Sequence, residues 1–181
     1  LAKIRWIKGE VQWTGAKDTD FSKPENWSQN ETPLTDISAL KNNTVVIPSG
    51  RTNYPVLESE ISVKEIRIQD NASLKIEEGG LLLTEKLIIS ETGKVDGKNG
   101  AIKLCKVTTD SNQVEEVKLE NSGWFEVGKL SFEPSAKGII FGTENQAKTK
   151  ISELVCENQG GKTLEIKNTI SVETLKLSGA S

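Results

Sequence analysis

Apolar residues along this chain alternate with polar ones over three to six positions, then give way to Gly, Asn, Asp or Ser. That is the pattern of short strands joined by turns. One stretch reads as helix instead. "PLTDISALKN" (33–42) spans two turns at most, with Thr35 or Asp36 as its N-cap.

Within the alternation a six-residue signature recurs: an apolar residue or Thr, two variable residues, an aliphatic, one variable residue, an apolar. It occurs as "VKEIRI" (63–68), "TEKLII" (84–89), "VGKLSF" (127–132), "ISELVC" (151–156) and "VETLKL" (172–177). The second of the four steps between these starts is nearly double the others, so one repeat is hidden or interrupted. Both "IKLCKV" (102–107) and "VEEVKL" (114–119) fit the signature, and a hairpin inserted at "TTDSNQ" (108–113) would account for the doubled step. A longer echo, "ISVKEIRIQDNAS" (61–73) against "ISVETLKLSGAS" (170–181), supports the repeat.

A period of roughly 21 residues converts into stacked supersecondary units. Each period holds a second apolar position or pair, Leu74 with Ile76, Val95, Ile139 with Phe141, Leu164 with Ile166, and some hold a third, such as Leu81 with Leu83. Two or three strands per turn make a coil of parallel strands. Residues two apart on a strand point the same way, so each pair points inward. The expectation is one interior column of Ile66, Leu87, Leu130, Leu154 and Leu175 and a second of Ile68, Ile89, Phe132, Cys156 and Leu177. At roughly 4.8 Å per rung, six or so rungs would give a rod of about 30 Å. The predicted fold is therefore all-β, a right-handed parallel β-helix (β-solenoid). A β-sandwich, which also has strands every 8–12 residues or so, is the alternative. A leucine-rich repeat also wants an Asn at a fixed place and a helix opposite the strand, and only Asn71 fits. A left-handed β-helix wants a tighter hexapeptide period.

Composition divides the chain. Three of four Trp and four of five Pro fall before residue 56. This predicts an irregular N-terminal cap with the first strand or strands over 1–58. Repeats of about 21–24 residues follow over 59–181, with an insertion near 105–119. The end of a β-solenoid offers unpaired backbone groups and an apolar cross-section, which must be covered. Trp6, Trp13, Phe21 and Trp27 are expected to cover it, with "VVIPSG" (45–50) as the first strand and Pro48 ending its ladder. No cap is visible in "ISVETLKLSGAS". The expectation there is that the natural protein continues, or that the last rung self-associates end to end.

The run "WTGAKDTDFSKPENWS", then Pro33, "NTVVIPSG" and "YPVL", resembles the start of β-helical repeat regions in large bacterial cell-surface and secreted, adhesin-like proteins. The shared pattern is W-x-G, D-x-D followed by an aromatic, N-W, a strand ending in Pro, then Y-P. Phe21 stands where Trp is more usual. The likeness covers residues 11–104 well and the remainder loosely. It implies an exported protein of the cell envelope or exterior and no particular ligand.

The 181 residues carry a net charge of −3, 27% charged residues and a mean hydropathy of −0.41. That balance gives no electrostatic case for nucleic acid, and no apolar stretch is long enough to predict membrane insertion. Met is absent and the start lacks a signal pattern, which suits an excised or mature piece. There is no His, the commonest metal ligand and general base. Two Cys, Cys105 and Cys156, are too few for a disulfide scaffold. Placed about two rungs apart, they are expected to be free.

Candidate chemistry is sparse. Asp18, Asp20 and Asn26 offer oxygens suited to Ca²⁺, against the stronger reading that they cap turns. "VDGKNG" (95–100) reads as a tight corner. Trp124 and Phe125 are a candidate glycan-stacking platform, against core filling beside the insertion. A glycosidase needs two carboxylates at a set separation. The outward positions read Arg67, Ile88, Ser131, Val155, Lys176 and Glu65, Lys86, Lys129, Glu153, Thr174, which hold no acidic cluster. The expected role is a non-enzymatic structural and interaction module without cofactor, facing a host or cell-surface protein or glycan outside the cell. A carbohydrate-binding module is the alternative, and a polysaccharide-degrading enzyme ranks third.

Overall fold

The computed structural model describes residues 10–107, 116–133, 137–142, 148–158, 163–167 and 169–179. Trp6, the proposed hairpin at 108–113 and the side chains of Ile139 and Phe141 lie outside the described residues. The chain forms a β-solenoid of about five turns.

It opens with β1 (Glu10–Trp13), β2 (Trp27–Gln29) and β3 (Thr32–Pro33), joined by antiparallel pairing of β1 with β2 and of β2 with β3. The expected helix is a 3-10 helix, Ile37–Asn42, capped by Asp36, whose side chain accepts from the Ser38 amide at 2.8 Å. From β4 (Thr44–Ile47) and β5 (Val56–Leu57) onward, every strand pairing among the described residues is parallel. A β-sandwich of antiparallel layers is excluded.

The strand β6 (Glu60–Ile68) explains how the coil turns. Glu60–Val63 pair with Leu81–Thr84 of β8 (Leu81–Ile89), Glu65–Ile68 pair with Lys86–Ile89, and Lys64 and Glu85 drop out between them. Ile61 and Val63 point inward before the bend, Ile66 and Ile68 after it, so the apolar phase slips by one residue and the strand rounds a corner. Two faces result, A before the bend and B after it. A third face, C, is begun by β5, which pairs with β7 (Ser73–Ile76), and β7 in turn pairs with the start of β9 (Lys94–Leu104). Later turns add β10 (Glu116–Asn121) and β12 (Lys137–Gly142) on face B, and β11 (Trp124–Phe132) and β13 (Lys148–Asn158) across faces C and A. The last turn holds β14 (Leu164–Ile166) on face B and β15 (Ser171–Gly179) across C and A.

The register corrects the expected columns. Ile66 and Leu87 stand on face B, whose column continues to Leu119 and Ile140. Leu130, Leu154 and Leu175 stand on face A, where they follow Leu82 and Ile102. The six-residue signature therefore straddles the A–B corner in the early turns and the C–A corner in the later ones. Its doubled step is a change of corner plus added chain. The "IKLCKV" and "VEEVKL" segments are not rivals for one place, because Ile102 and Leu104 form a rung of face A and Val117 and Leu119 a rung of face B. The chain from Leu87 to its rung partner Leu119 is clearly longer than the chain from Ile66 to Leu87. The added chain lies between Leu104 and Glu116. Ile140 of β12 is buried and takes the rung over Leu119.

Two further expectations change. "VVIPSG" is not the first strand, since β1 pairs in parallel with β4, Val11 opposite Val45. "VDGKNG" is not a separate turn but part of the continuous strand β9, and its corner is a bulge. Gly97 and Ala101 pair with Val127 and Lys129, so three residues of β9 face Gly128 alone. A Cβ on Gly128 would sit 2.6 Å from the Lys98 carbonyl oxygen, so the close approach there requires glycine.

One core runs through the coil. Ile66, Leu87, Leu119, Leu82, Ile102, Leu130, Leu74, Val95 and Phe125 are all fully buried. Each large aliphatic removed from water contributes about 1.5–3 kcal/mol.

Candidate functional site

Three of the clustered aromatics are buried against the first rungs. Trp13, Phe21 and Trp27 have no exposed surface and belong to the same core cluster as Val45 and Ile47. Trp27 meets Trp13 edge-on at 4.9 Å and Phe21 at 4.8 Å, the offset geometry aromatic quadrupoles favour. Both indoles keep their hydrogen bonds: Trp13 Nε1 donates to the Asn53 carbonyl at 2.7 Å and Trp27 Nε1 to the Phe21 carbonyl at 2.9 Å. Gly15, at φ +60, lets the loop pass against Asn53, and a Cβ there would lie 2.5 Å from the Asn53 oxygen.

Asp18, Asp20 and Asn26 are brought together, but their side-chain oxygens other than Asp20 Oδ2 accept hydrogen bonds from protein donors. Buried Asn26 accepts through Oδ1 from the Lys17 and Asp18 amides at 2.8 and 3.1 Å. Its Nδ2 donates to Asp18 Oδ1 at 2.8 Å and to the Asp20 carbonyl at 2.9 Å. Asp18 Oδ1 also accepts from the Asp20 amide, and Asp18 Oδ2 from the Lys23 ammonium. Asp20 Oδ1 accepts from the Ser22 amide at 2.9 Å and hydroxyl at 2.6 Å. A calcium ion would have to displace these donors. The Lys23 ammonium, with the Asn26 amide and the Asp20 N–H, holds the Asp18 carboxyl down to about 2. Among the described residues no three His, Cys, Asp or Glu side chains are placed to hold a metal.

Trp124 and Phe125 part company. Adjacent on β11, they point to opposite faces of the sheet. Phe125 is fully buried in register with Val95 and Thr149. Trp124 lies outside, half-buried, with the Lys94 ammonium 4.4 Å from its ring centroid. Lys94 and Lys148 are its ladder neighbours on either side. Trp124 is thus not core filling, and the two rings are not one platform. The flanking lysines escaped the sequence reading because each lies a whole turn of the coil away along the chain, and only the strand register unites them.

Four of the outward carboxylates are paired with cations along and across rungs. Glu65 meets Arg67 at 2.6 Å and Lys86 at 3.8 Å. Glu126 meets Lys150 at 3.1 Å, Glu153 meets Lys176 at 2.8 Å and Lys129 at 3.6 Å, and Glu165 meets Lys137 at 3.0 Å. Glu65 and Glu153 stand on different faces, B and A. Both cysteines are free. Cys105 is buried, and desolvation with the nearby Glu133 charge pushes its thiol up to about 11. Cys156, in register with Phe132, is half-buried, and burial raises its thiol as well. Neither is poised as a nucleophile.

Comparison with family models, curated proteins and solved structures gives no match to the chain.

Proposed function

We propose that this protein is a non-enzymatic structural and interaction module, an adhesin-like β-solenoid of a bacterial surface or secreted protein. The observation that carries the reading is the pairing of outward charges. Carboxylates that a hydrolase would aim at a substrate are here bound to cations of the same or the next rung, as at Glu65, Glu126 and Glu153. Such pairs lace a face that holds its shape and meets a partner without chemistry. The N-terminal pattern of aromatics, Asp and Pro supports an extracellular place. The outer edge of β15 has no partner strand among the described residues, and Leu175 and Leu177 stand exposed beside it. That rung provides the site of end-to-end contact between copies.

The test presents the purified chain on beads to glycan-coated and cell-coated surfaces and assays turnover of the same glycans. Adhesion without turnover is the expected result. Release of shortened glycan would overturn the reading.

A further inference from the structure

We propose that face C carries a binding site for acidic saccharides of the uronate class, built from Trp124 and Lys148. The proposal goes beyond the scaffold reading by naming a ligand, and rests on it for a face presented to the outside.

Lysines on this face divide into two kinds. Lys75 pairs with Glu77, Lys94 with Asp96 at 3.3 Å, and Lys150 with Glu126 at 3.1 Å and Glu173 at 3.7 Å. Lys148 is exposed and meets no carboxylate among the described residues. It stands one rung from Trp124, at the ladder spacing of roughly 4.8 Å, on the side away from Lys94. Lys94 already lies over the indole, which fixes the ring against the sheet.

The site thus joins a flat, part-exposed aromatic surface to one cation that meets no carboxylate among the described residues. A pyranose ring brings an apolar C–H face to stack on indole, and a uronate carries its carboxylate at the rim of that ring. The two features match the stacking surface and the Lys148 ammonium. A neutral sugar leaves the ammonium unused. An acidic peptide supplies the charge without the flat apolar face. The buried neighbours Phe125 and Thr149 hold the strands beneath, so the site is carried on rigid ladder.

The experiment titrates the intact chain calorimetrically with an oligogalacturonate, a neutral galacto-oligosaccharide of equal length and polyglutamate. Expected is saturable binding of the oligogalacturonate, weakened about tenfold by Trp124→Ala and about threefold by Lys148→Gln. Lys98→Gln on the same coil should leave it unchanged. The neutral sugar and the peptide should bind at least about threefold more weakly. Unfolding curves confirm that each variant is folded, and Lys148→Glu carries the test should Trp124→Ala fail to fold. Absence of saturable uronate binding by the folded native chain would overturn the proposal. So would equal binding of the neutral sugar or the peptide, or indifference to Trp124→Ala and Lys148→Glu. Each of these leaves the scaffold reading standing, because that reading falls only on glycan turnover.

Discussion

The first and last described rungs of the coil are built from similar strands and differ in how far they are covered. At the N-terminal end β1 lies on β4, and Trp13, Phe21 and Trp27 close over the core with no exposed surface. At the C-terminal end Leu175 and Leu177 are 56% and 73% exposed, although Leu130 and Leu154, in the column of Leu175, are 0% and 2% exposed. The residue types are the same. What differs is whether a rung lies on both sides. A column position acquires its energetic weight from its neighbours in the stack, as expected for a quasi-one-dimensional protein.

The heaviest cost is expected at the buried N-terminal aromatics. Trp27→Ala should cost about 3–5 kcal/mol in denaturant unfolding, because it removes a wholly buried ring from two aromatic contacts. A loss near that of an exposed substitution would mean that these aromatics are not part of the cooperative core.

Leu130→Ala and Leu175→Ala come next, as a pair within one column. The first should cost about 2–5 kcal/mol and the second less than about 1 kcal/mol, by the same measurement. Equal costs would mean that the last rung is covered in solution. Light scattering sharpens the point: Leu175→Lys with Leu177→Lys should lower the apparent mass at high protein concentration if copies meet end to end. An unchanged, concentration-dependent mass would place self-association elsewhere.

The smallest effect concerns acid. The Asp18 carboxyl lies at about 2 in the fold, against about 3.9 in an unfolded chain. A depressed carboxyl contributes stability above the unfolded value, and the contribution fades as pH falls from about 4 toward 2. Asp18→Asn should therefore show a shallower loss of stability over that window than the native chain. An identical slope would contradict the Asp18–Lys23–Asn26 arrangement. The group is on the surface, so the difference will be modest.

The period-2 pairs and their recurrence at a near-constant interval made the parallel coil legible in the sequence. The excess of Trp and Pro before residue 56 coincides with the segment whose Trp13, Phe21 and Trp27 are buried in the core. The assignment of segments to faces was not legible, for a physical reason. Any corner that slips the apolar phase by one residue produces the same signature, so "TEKLII" at the A–B corner and "VGKLSF" at the C–A corner look alike. Asn121 shows the same limit. It points inward from face B at 1% exposure and is satisfied by the Thr149 hydroxyl at 2.9 Å, a partner from the next turn, although polarity alone would have placed it outside. The Trp124–Lys148 neighbourhood was hidden likewise, since it exists only once the register is known.

Crosslinking reads that register in solution. Ile88 and Glu120 are direct ladder partners, and neighbouring strands at roughly 4.8 Å fall within the Cα range a disulfide spans, about 4.4–6.8 Å. The double variant Ile88→Cys with Glu120→Cys should close a bridge under mild oxidation. The variant Ile88→Cys with Ser131→Cys, which the simple repeat would align, should not. A bridge in the second variant and none in the first would contradict the three-faced coil.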